Sequence, residues 1–299
     1  MSNVHLLFTH ALSPLHAGTG QSTGAIDLAI ARDQATGIPF VPGSSIKGSL
    51  RDLATTAWGE KNLELKGIFG PDTQGASEHA GAVVFADANL LLLPVRSVAG
   101  TFAWITSPYL LGRFRRDLEE AGIKWEGGNL PAPTTFSDCV VAKESALKLQ
   151  LGGKPSVCFE DLDLKPSEAG DAAPLAAALG KLVFPGDEFW QQQFAKRLCV
   201  VHDDVLSFLA RHGTQVSARI ALEHERKTVR KGGLWYEESL PSETILVSLV
   251  LAVPVTKANI TPEKAIERVR DLIKTPVQLG GKGSVGRGRC RLVLTGAKV

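Results

Sequence analysis

Apolar residues recur along the chain with two different periods, and each change of period marks an element. Val4–Thr9 reads as a first strand, and Ile38-Pro39-Phe40-Val41-Pro42-Gly43 is extended because each proline pushes its predecessor out of the α region. Beyond it the spacing turns helical. Ile46, Leu50, Leu53, Ala57 and Trp58 share one side, Ser44 or Ser45 is the expected N-cap, and Gly59 is the stop. Ala82–Val95 reads as two strands or one long bent strand, and Thr101–Ile105 as another. Between Pro131 and Gly186 the periodicity fades among prolines and glycines, which predicts an insertion of loops and small strands. Phe189–His212 carries the strongest helical pattern, with Phe194, Leu198, Val201, Val205, Phe208 and Leu209 on one face. Arg219–Pro241 reads as a polar hairpin turning at Gly232-Gly233. Thr244–Val255 is a buried strand, Thr261 caps a helix that begins at Pro262, and a last strand follows a glycine loop.

Without the insertions the order is strand, helix, strand, strand, helix, strand. This predicts an α+β fold with a ferredoxin-like βαββαβ core, the architecture of RNA-recognition domains. The expected division of the single 299-residue domain is a palm at about 1–105 and 244–299, an insertion at about 106–186, a helix at 189–212 and a protruding hairpin at about 219–241.

Composition narrows the partners. With 44% hydrophobic and 21% charged residues the chain is globular, and a net charge of +2 makes any nucleic-acid surface local. The densest cationic run is Gly280–Arg291, which holds Lys282, Arg287, Arg289 and Arg291, no acid, and glycines suited to turning backbone N–H groups toward an anion. Its G-x-G-x-x-G match lacks the following helix of a dinucleotide site, and Lys282 lacks the following Ser or Thr of a P-loop. Lys47 and Arg51 share one face near a helix start, where a bound anion would be favoured. On the hairpin, cations in one arm and Trp235 and Tyr236 in the other combine charge with stacking surface. Cys139, Cys158, Cys199 and Cys290 are widely scattered and form no C-x-x-C pair, which argues against a structural zinc site and gives no disulfide framework. No apolar stretch has the length of a membrane span, and the expected location is the cytoplasm. Ser44-Ser45-Ile46-Lys47 matches the S-x-x-K of serine acyl enzymes, but the S-D-N and K-T-G elements that accompany it are missing.

Four segments stand in a recognisable order: Leu15-His16-Ala17-Gly18-Thr19-Gly20 with Gly24-Ala25-Ile26-Asp27, then Pro42-Gly43-Ser44-Ser45-Ile46-Lys47-Gly48-Ser49-Leu50-Arg51, Gly233-Leu234-Trp235-Tyr236-Glu237-Glu238-Ser239-Leu240-Pro241, and the C-terminal glycine loop. Together they make the chain resemble the RAMP superfamily of CRISPR effector proteins, and within it the repeated backbone subunit of the type III-B (Cmr) RNA-targeting complex. The resemblance implies copies stacked along a CRISPR guide RNA, contact with target RNA and with other subunits of the complex, and a hairpin thumb wedged into the guide–target duplex. It also implies cleavage of the target RNA. Asp27 matches the family's catalytic aspartate, as base or as holder of a divalent metal ion, Mg or Mn. His16 would assist, and Tyr236, Glu237 and Glu238 from the thumb of a neighbouring copy would help place the nucleotide or the metal. Ser44, Lys47, Arg51, Lys282, Gly283, Arg287 and Trp235 would contact RNA. The same resemblance accommodates a structural RNA-binding subunit without catalysis.

Overall fold

β1 (Val4–Ala11) is apolar on both of its faces, and the molecule is assembled around it. Leu7 and Ala11 turn to one side, Leu6 and Phe8 to the other, and none is more than 1% exposed. A strand buried on both faces needs a layer on each, and this computed structural model supplies two. It describes residues 3–20, 25–71, 79–167, 171–223 and 228–295.

The first layer belongs to the palm. β2 (Phe40–Val41), α1 (Gly43–Trp58), α2 (Leu63–Phe69), β3 (Val83–Phe85) and β4 (Ala88–Arg96) follow β1. The chain returns much later with β13 (Ile245–Ala252), α7 (Pro262–Leu272), β14 (Val277–Gln278) and β15 (Arg289–Thr295). Four of these strands lie side by side as β15-β1-β13-β4, antiparallel throughout. Ile46, Leu50 and Ala54 of α1 and Ala265, Ile266 and Val269 of α7 pack onto the Leu7 face. This is the expected βαββαβ core. Thr261 caps α7 as expected, its side chain accepting the Lys264 N–H at 3.3 Å.

The second layer comes from the insertion. β5 (Phe102–Thr106) continues the sheet beyond β4 and is followed by α3 (Pro108–Glu120), β6 (Asp138–Val141), β7 (Leu149–Leu151), β8 (Lys154–Phe159), β9 (Leu162–Pro166), α4 (Ala173–Val183) and α5 (Glu188–Arg197). The stretch 131–186, expected to hold only loops and small strands, therefore also contains the helix α4. α3, α4 and α5 lay Phe114, Leu118, Leu175, Leu179 and Phe194 over Leu6, Phe8 and Trp104. RNA-recognition domains bind bases on an open sheet face; here that face is closed. Trp104 is fully buried among Phe102, Phe184, Trp190 and Phe194, and its indole N–H donates to Glu243 O at 2.8 Å.

Three expected boundaries are corrected. Phe189–His212 is not one helix: α5 ends at Arg197, Leu198–Val201 forms β10, and α6 (Asp203–His212) begins after His202. β10 runs parallel to β5 and antiparallel to β6, with all four residues buried. A helix would bury only one side of that run, whereas a central strand buries both, and the β-branched Val200-Val201 pair favours the strand. The N-cap of α1 is Pro42, not Ser44 or Ser45, and the Asp87 carboxylate accepts the Gly43 N–H at 2.8 Å. An internal anion thus already serves that helix start. The hairpin, third, pairs β11 (Gln215–Leu222) with β12 (Val229–Ser239) as far out as Leu222 opposite Val229, beyond the expected turn. Gly232-Gly233 lies inside β12 beside the register shift between Ile220 and Leu222, where Gly232 has φ +71°. Glycine is the natural residue at such a bulge.

The hairpin forms its own two-stranded sheet, and Val216, Ile220, Leu222, Val229, Leu234 and Tyr236 on its outer side are 42–54% exposed. Its outer half is therefore dispensable for the core. Replacing residues 220–234 by Asn-Gly should leave a cooperative thermal transition within a few degrees of the parent, because few buried contacts are lost. Loss of that transition would show that the hairpin tip belongs to the core.

Candidate active site at the base of the hairpin

The loop between β1 and β2 folds back on itself, Ala31 N donating to Ala17 O at 2.9 Å, and then lies along β12. β11 occupies one edge of β12, leaving the N–H and C=O groups of Tyr236 and Glu238 facing outward. The loop fills every one of those places. Asp27 Oδ2 accepts the Tyr236 N–H at 2.8 Å, and Leu28 N donates to Tyr236 O at 3.1 Å. Leu28 O accepts the Glu238 N–H at 2.9 Å, and Glu238 O accepts from His16 Nδ1 at 2.6 Å.

These bonds define the chemistry on offer. Asp27 is exposed, with one oxygen held by the backbone, and Tyr236 stands beside it 42% exposed. A carbonyl only accepts, so Nδ1 of His16 carries the hydrogen and the neutral ring keeps its lone pair on Nε2. His16 is 8% exposed and roofed by Gly18, where a Cβ would come within 2.6 Å of Nε2. The ring thus sits beneath the loop that carries Asp27.

The adjacent acids Glu237 and Glu238 point to opposite faces, as neighbours on a strand must. Neither is a free group. Glu237 faces the glycine loop and accepts from Lys282 Nζ at 2.9 Å, Trp235 Nε1 at 2.8 Å and Arg219 Nε at 3.2 Å. Burial alone would raise its pKa; the hydrogen bonds from Lys282 and Trp235, the Lys282 charge and the Arg219 bond outweigh it and hold the group at about 2. Glu238, 2% exposed, accepts from Arg32 Nη2, from Thr214 Oγ1 at 2.7 Å and from Ile30 N at 3.2 Å. A carboxylate so enclosed does not meet a substrate, which corrects its expected catalytic place. Asp27, His16, Tyr236 and Glu238 are brought together within one chain, whereas the expectation placed the thumb residues on a neighbouring copy.

The glycine loop is built differently from an open anion nest. The N–H groups of Gly281, Val285, Gly286, Arg287 and Gly288 go to carbonyls of His16, Lys282, Gly283, Lys282 and Pro14. A Cβ at Gly280 would lie 2.3 Å from His16 O and one at Gly288 2.0 Å from Leu279 O, so these glycines permit close packing. Lys282, at φ +66°, is tied to Glu237, and Arg287 Nη2 lies 3.5 Å from Ser217 Oγ. Trp235 is half-buried on this inner side, away from the exposed face of the hairpin. Gly283 opens a short 3₁₀ turn over Gln278. Elsewhere, Ser44 is exposed at the start of α1, Lys47 is half-buried, and Arg51 donates to Pro71 O at 3.3 Å. Beside Ser44, the Gly43 N–H is already taken by the Asp87 carboxylate and is not free to stabilise the oxyanion of an acyl enzyme.

Among the described residues no three His, Cys, Asp or Glu side chains converge as a metal cage. The one available carboxylate oxygen of Asp27 fits the chemistry of Mg²⁺ or Mn²⁺ held through a single carboxylate with water and phosphate oxygens. Arg32, Thr214, Arg219 and Asp87 were not singled out from the sequence. For Glu237 and Glu238 the alternation of a strand was the available signal; for Arg32 there was none.

Fold and site together define a palm-and-hairpin α+β protein that presents a loop aspartate at the hairpin base, with the sheet face itself sealed. The profile of the RAMP superfamily matches residues 10–291, and the chain belongs to that superfamily. It is 34% identical, over 97% of its length and 95% of the relative's, to the CRISPR system Cmr endoribonuclease Cmr4 of Pyrococcus furiosus. The structure of oligomeric Cmr4 from the same organism superposes with a TM-score of 0.73 at 26% identity, covering 99% of both chains. A chain of the type III-B Cmr-beta complex bound to cognate target RNA superposes at 0.72, with 22% identity over 97% of this chain and 96% of that one, a likeness of fold. Among the described residues no helix is long and apolar enough to cross a membrane.

The Glu237 clamp has a defined pH response. Its folded pKa lies below its ordinary value of 4.5, so its contribution to stability is present above about 4.5 and is lost as pH falls through about 2. Wild type should melt above Glu237→Gln at neutral pH, and the two should converge between pH 4.5 and 2. Parallel curves over that range would mean that the Lys282–Glu237–Arg219 contacts do not hold the hairpin base.

Proposed function

We propose that this chain is the guide-binding backbone subunit of a type III-B Cmr complex and cleaves the target RNA paired with its guide, using Asp27. The identity with the Pyrococcus furiosus endoribonuclease over nearly the whole chain supports the class of reaction. The observation that carries the residue assignment is the exposed Asp27 carboxylate, held by one oxygen on the Tyr236 N–H and, among the described residues, open at the other.

In this reading the ribose 2′-hydroxyl next to the scissile phosphate gives its proton to the free oxygen of Asp27 and attacks phosphorus. The P–O5′ bond breaks, leaving a 2′,3′-cyclic phosphate on one fragment and a 5′-hydroxyl on the other. The departing oxygen takes its proton from solvent, since His16 is roofed by Gly18. Tyr236 N–H fixes which carboxylate oxygen is free, and the exposed Tyr236 ring offers a surface for the unstacked nucleotide. A divalent ion held by Asp27 would supply charge cancellation at the phosphate. The outer apolar side of the hairpin, uncovered in the single chain, suits stacking against base pairs and therefore the wedge. Lys47 and Arg51 on α1, with Arg287, provide cations for the guide backbone; Lys282 does so only while also serving Glu237.

Two outcomes check this. In a reconstituted complex Asp27→Asn should lower target cleavage by about 100-fold or more with target binding within about twofold, since it keeps shape and removes the charge a base requires. Full cleavage by that variant would refute the assignment, and uncut RNA in wild type as well would leave a structural RNA-binding subunit. Lys47→Ala should weaken guide binding for all sequences alike and reduce the salt dependence by about one charge. A changed sequence preference at constant salt slope would contradict a phosphate contact.

A further inference from the structure

The buried Glu238 network lies under the candidate site without belonging to its reacting groups, and it ties together three separate places in the fold, the loop between β1 and β2, the residue before β11 and the end of α6. Its side chain holds Arg32 and Ile30 N–H of the Asp27 loop and Thr214 just before β11. Its backbone holds Leu28 O and His16 Nδ1. Arg32 extends the network, donating through Nη1 to Gly37 O at 2.8 Å and to Ala210 O at the end of α6 at 2.9 Å. Between Asp27 and Ile30 the loop has little burial to fix it, Asp27 being exposed and Leu28 and Ala29 half-buried. Polar contacts therefore set its position, and Tyr236 and Glu238 make most of them, Glu238 alone through a side chain.

We propose that Glu238, with Arg32 and Thr214, is a positioning unit that holds Asp27 and His16 in register with the base of the hairpin, so that cleavage requires the hairpin to be seated. The proposal rests on Asp27 being the reacting group. Glu238 acts through the loop and does not touch RNA. Its buried charge is matched by Arg32, so removing either partner alone leaves the other uncompensated, while removing both charges is the milder change. A shift of the loop by about 1 Å is enough to lower a cleavage rate about 100-fold.

The test uses the reconstituted complex with a guide and a complementary target RNA, comparing wild type with Thr214→Val, Glu238→Gln, Arg32→Gln, the Arg32→Gln/Glu238→Gln double variant and Asp27→Asn. Glu238→Gln and Arg32→Gln should each lower the single-turnover rate at saturating target by about 100-fold, with the half-saturating target concentration within about twofold. The double variant should be faster than either single one, and Thr214→Val should show a smaller loss of the same kind. Hydrogen exchange of the free chain gives a readout independent of activity. The Leu28 and Glu238 amides should lose protection in the single variants while the amides of β1 and β13 keep theirs. Equal loss of binding and cleavage, or loss of protection throughout the palm, would reduce the network to a structural role and overturn the proposal. So would unchanged cleavage in all the network variants. If instead Asp27→Asn cleaves normally, the assignment of the reacting group fails first, and that result is separate from any behaviour of Glu238.

Discussion

Hydrogen-bonding groups on a strand edge have to be satisfied, and on β12 that requirement organises the site. β11 uses one edge, and the loop from β1 uses the other through Asp27, Leu28 and His16. Tyr236 and Glu238 are two residues apart, about 7 Å along a strand, so the loop is laid out at strand spacing before any substrate arrives. The hairpin base and the loop that carries the aspartate are consequently one structure. The outer hairpin, by contrast, keeps Ile220, Leu222, Val229 and Leu234 about half exposed, which leaves its apolar side open to a partner.

The same economy applies to charge. Lys282, Arg219 and Arg32 stand near the site but are spent on Glu237 and Glu238, which keep the hairpin base fixed. The glycine loop reaches the same end by packing, because Gly280 and Gly288 bring its backbone against His16 and Leu279 where a side chain would collide. A loop that reads as a phosphate cradle is thus first a support for the hairpin base. The sealed sheet face follows from α3, α4 and α5, which cover Leu6, Phe8 and Trp104 and leave no open sheet surface on that side.

The palm was legible in the sequence because its elements obey simple periods: β1, α1, β13 and α7 each lie close to their expected places. β10 was not, because Phe194, Leu198, Val201 and Val205 keep a helical spacing of four, three and four across a strand. The Asp203-Asp204 pair after His202 marks a new helix start and was the counter-signal. Gly232-Gly233 drew the hairpin turn inward because glycine pairs usually mark turns, whereas this pair makes a bulge. Asp27 emerged from the family resemblance alone, since an exposed loop aspartate carries no pattern of its own. Arg32 and Thr214 were beyond sequence reasoning, because their importance arises from a buried acid more than 20 residues away in one case and more than 200 in the other.

The central claim is that Asp27 reaches the scissile nucleotide while held by the hairpin base of its own chain. The most direct measurement is a structure of the assembled complex bound to guide and to a target RNA whose 2′-hydroxyl at the cut position is replaced by hydrogen. The account predicts the free Asp27 oxygen within about 3.2 Å of where that hydroxyl would lie, with the other oxygen still on the Tyr236 N–H of the same chain. A target strand whose cut nucleotide faces a different carboxylate, or an Asp27 released from Tyr236 and turned away from the RNA, would contradict it.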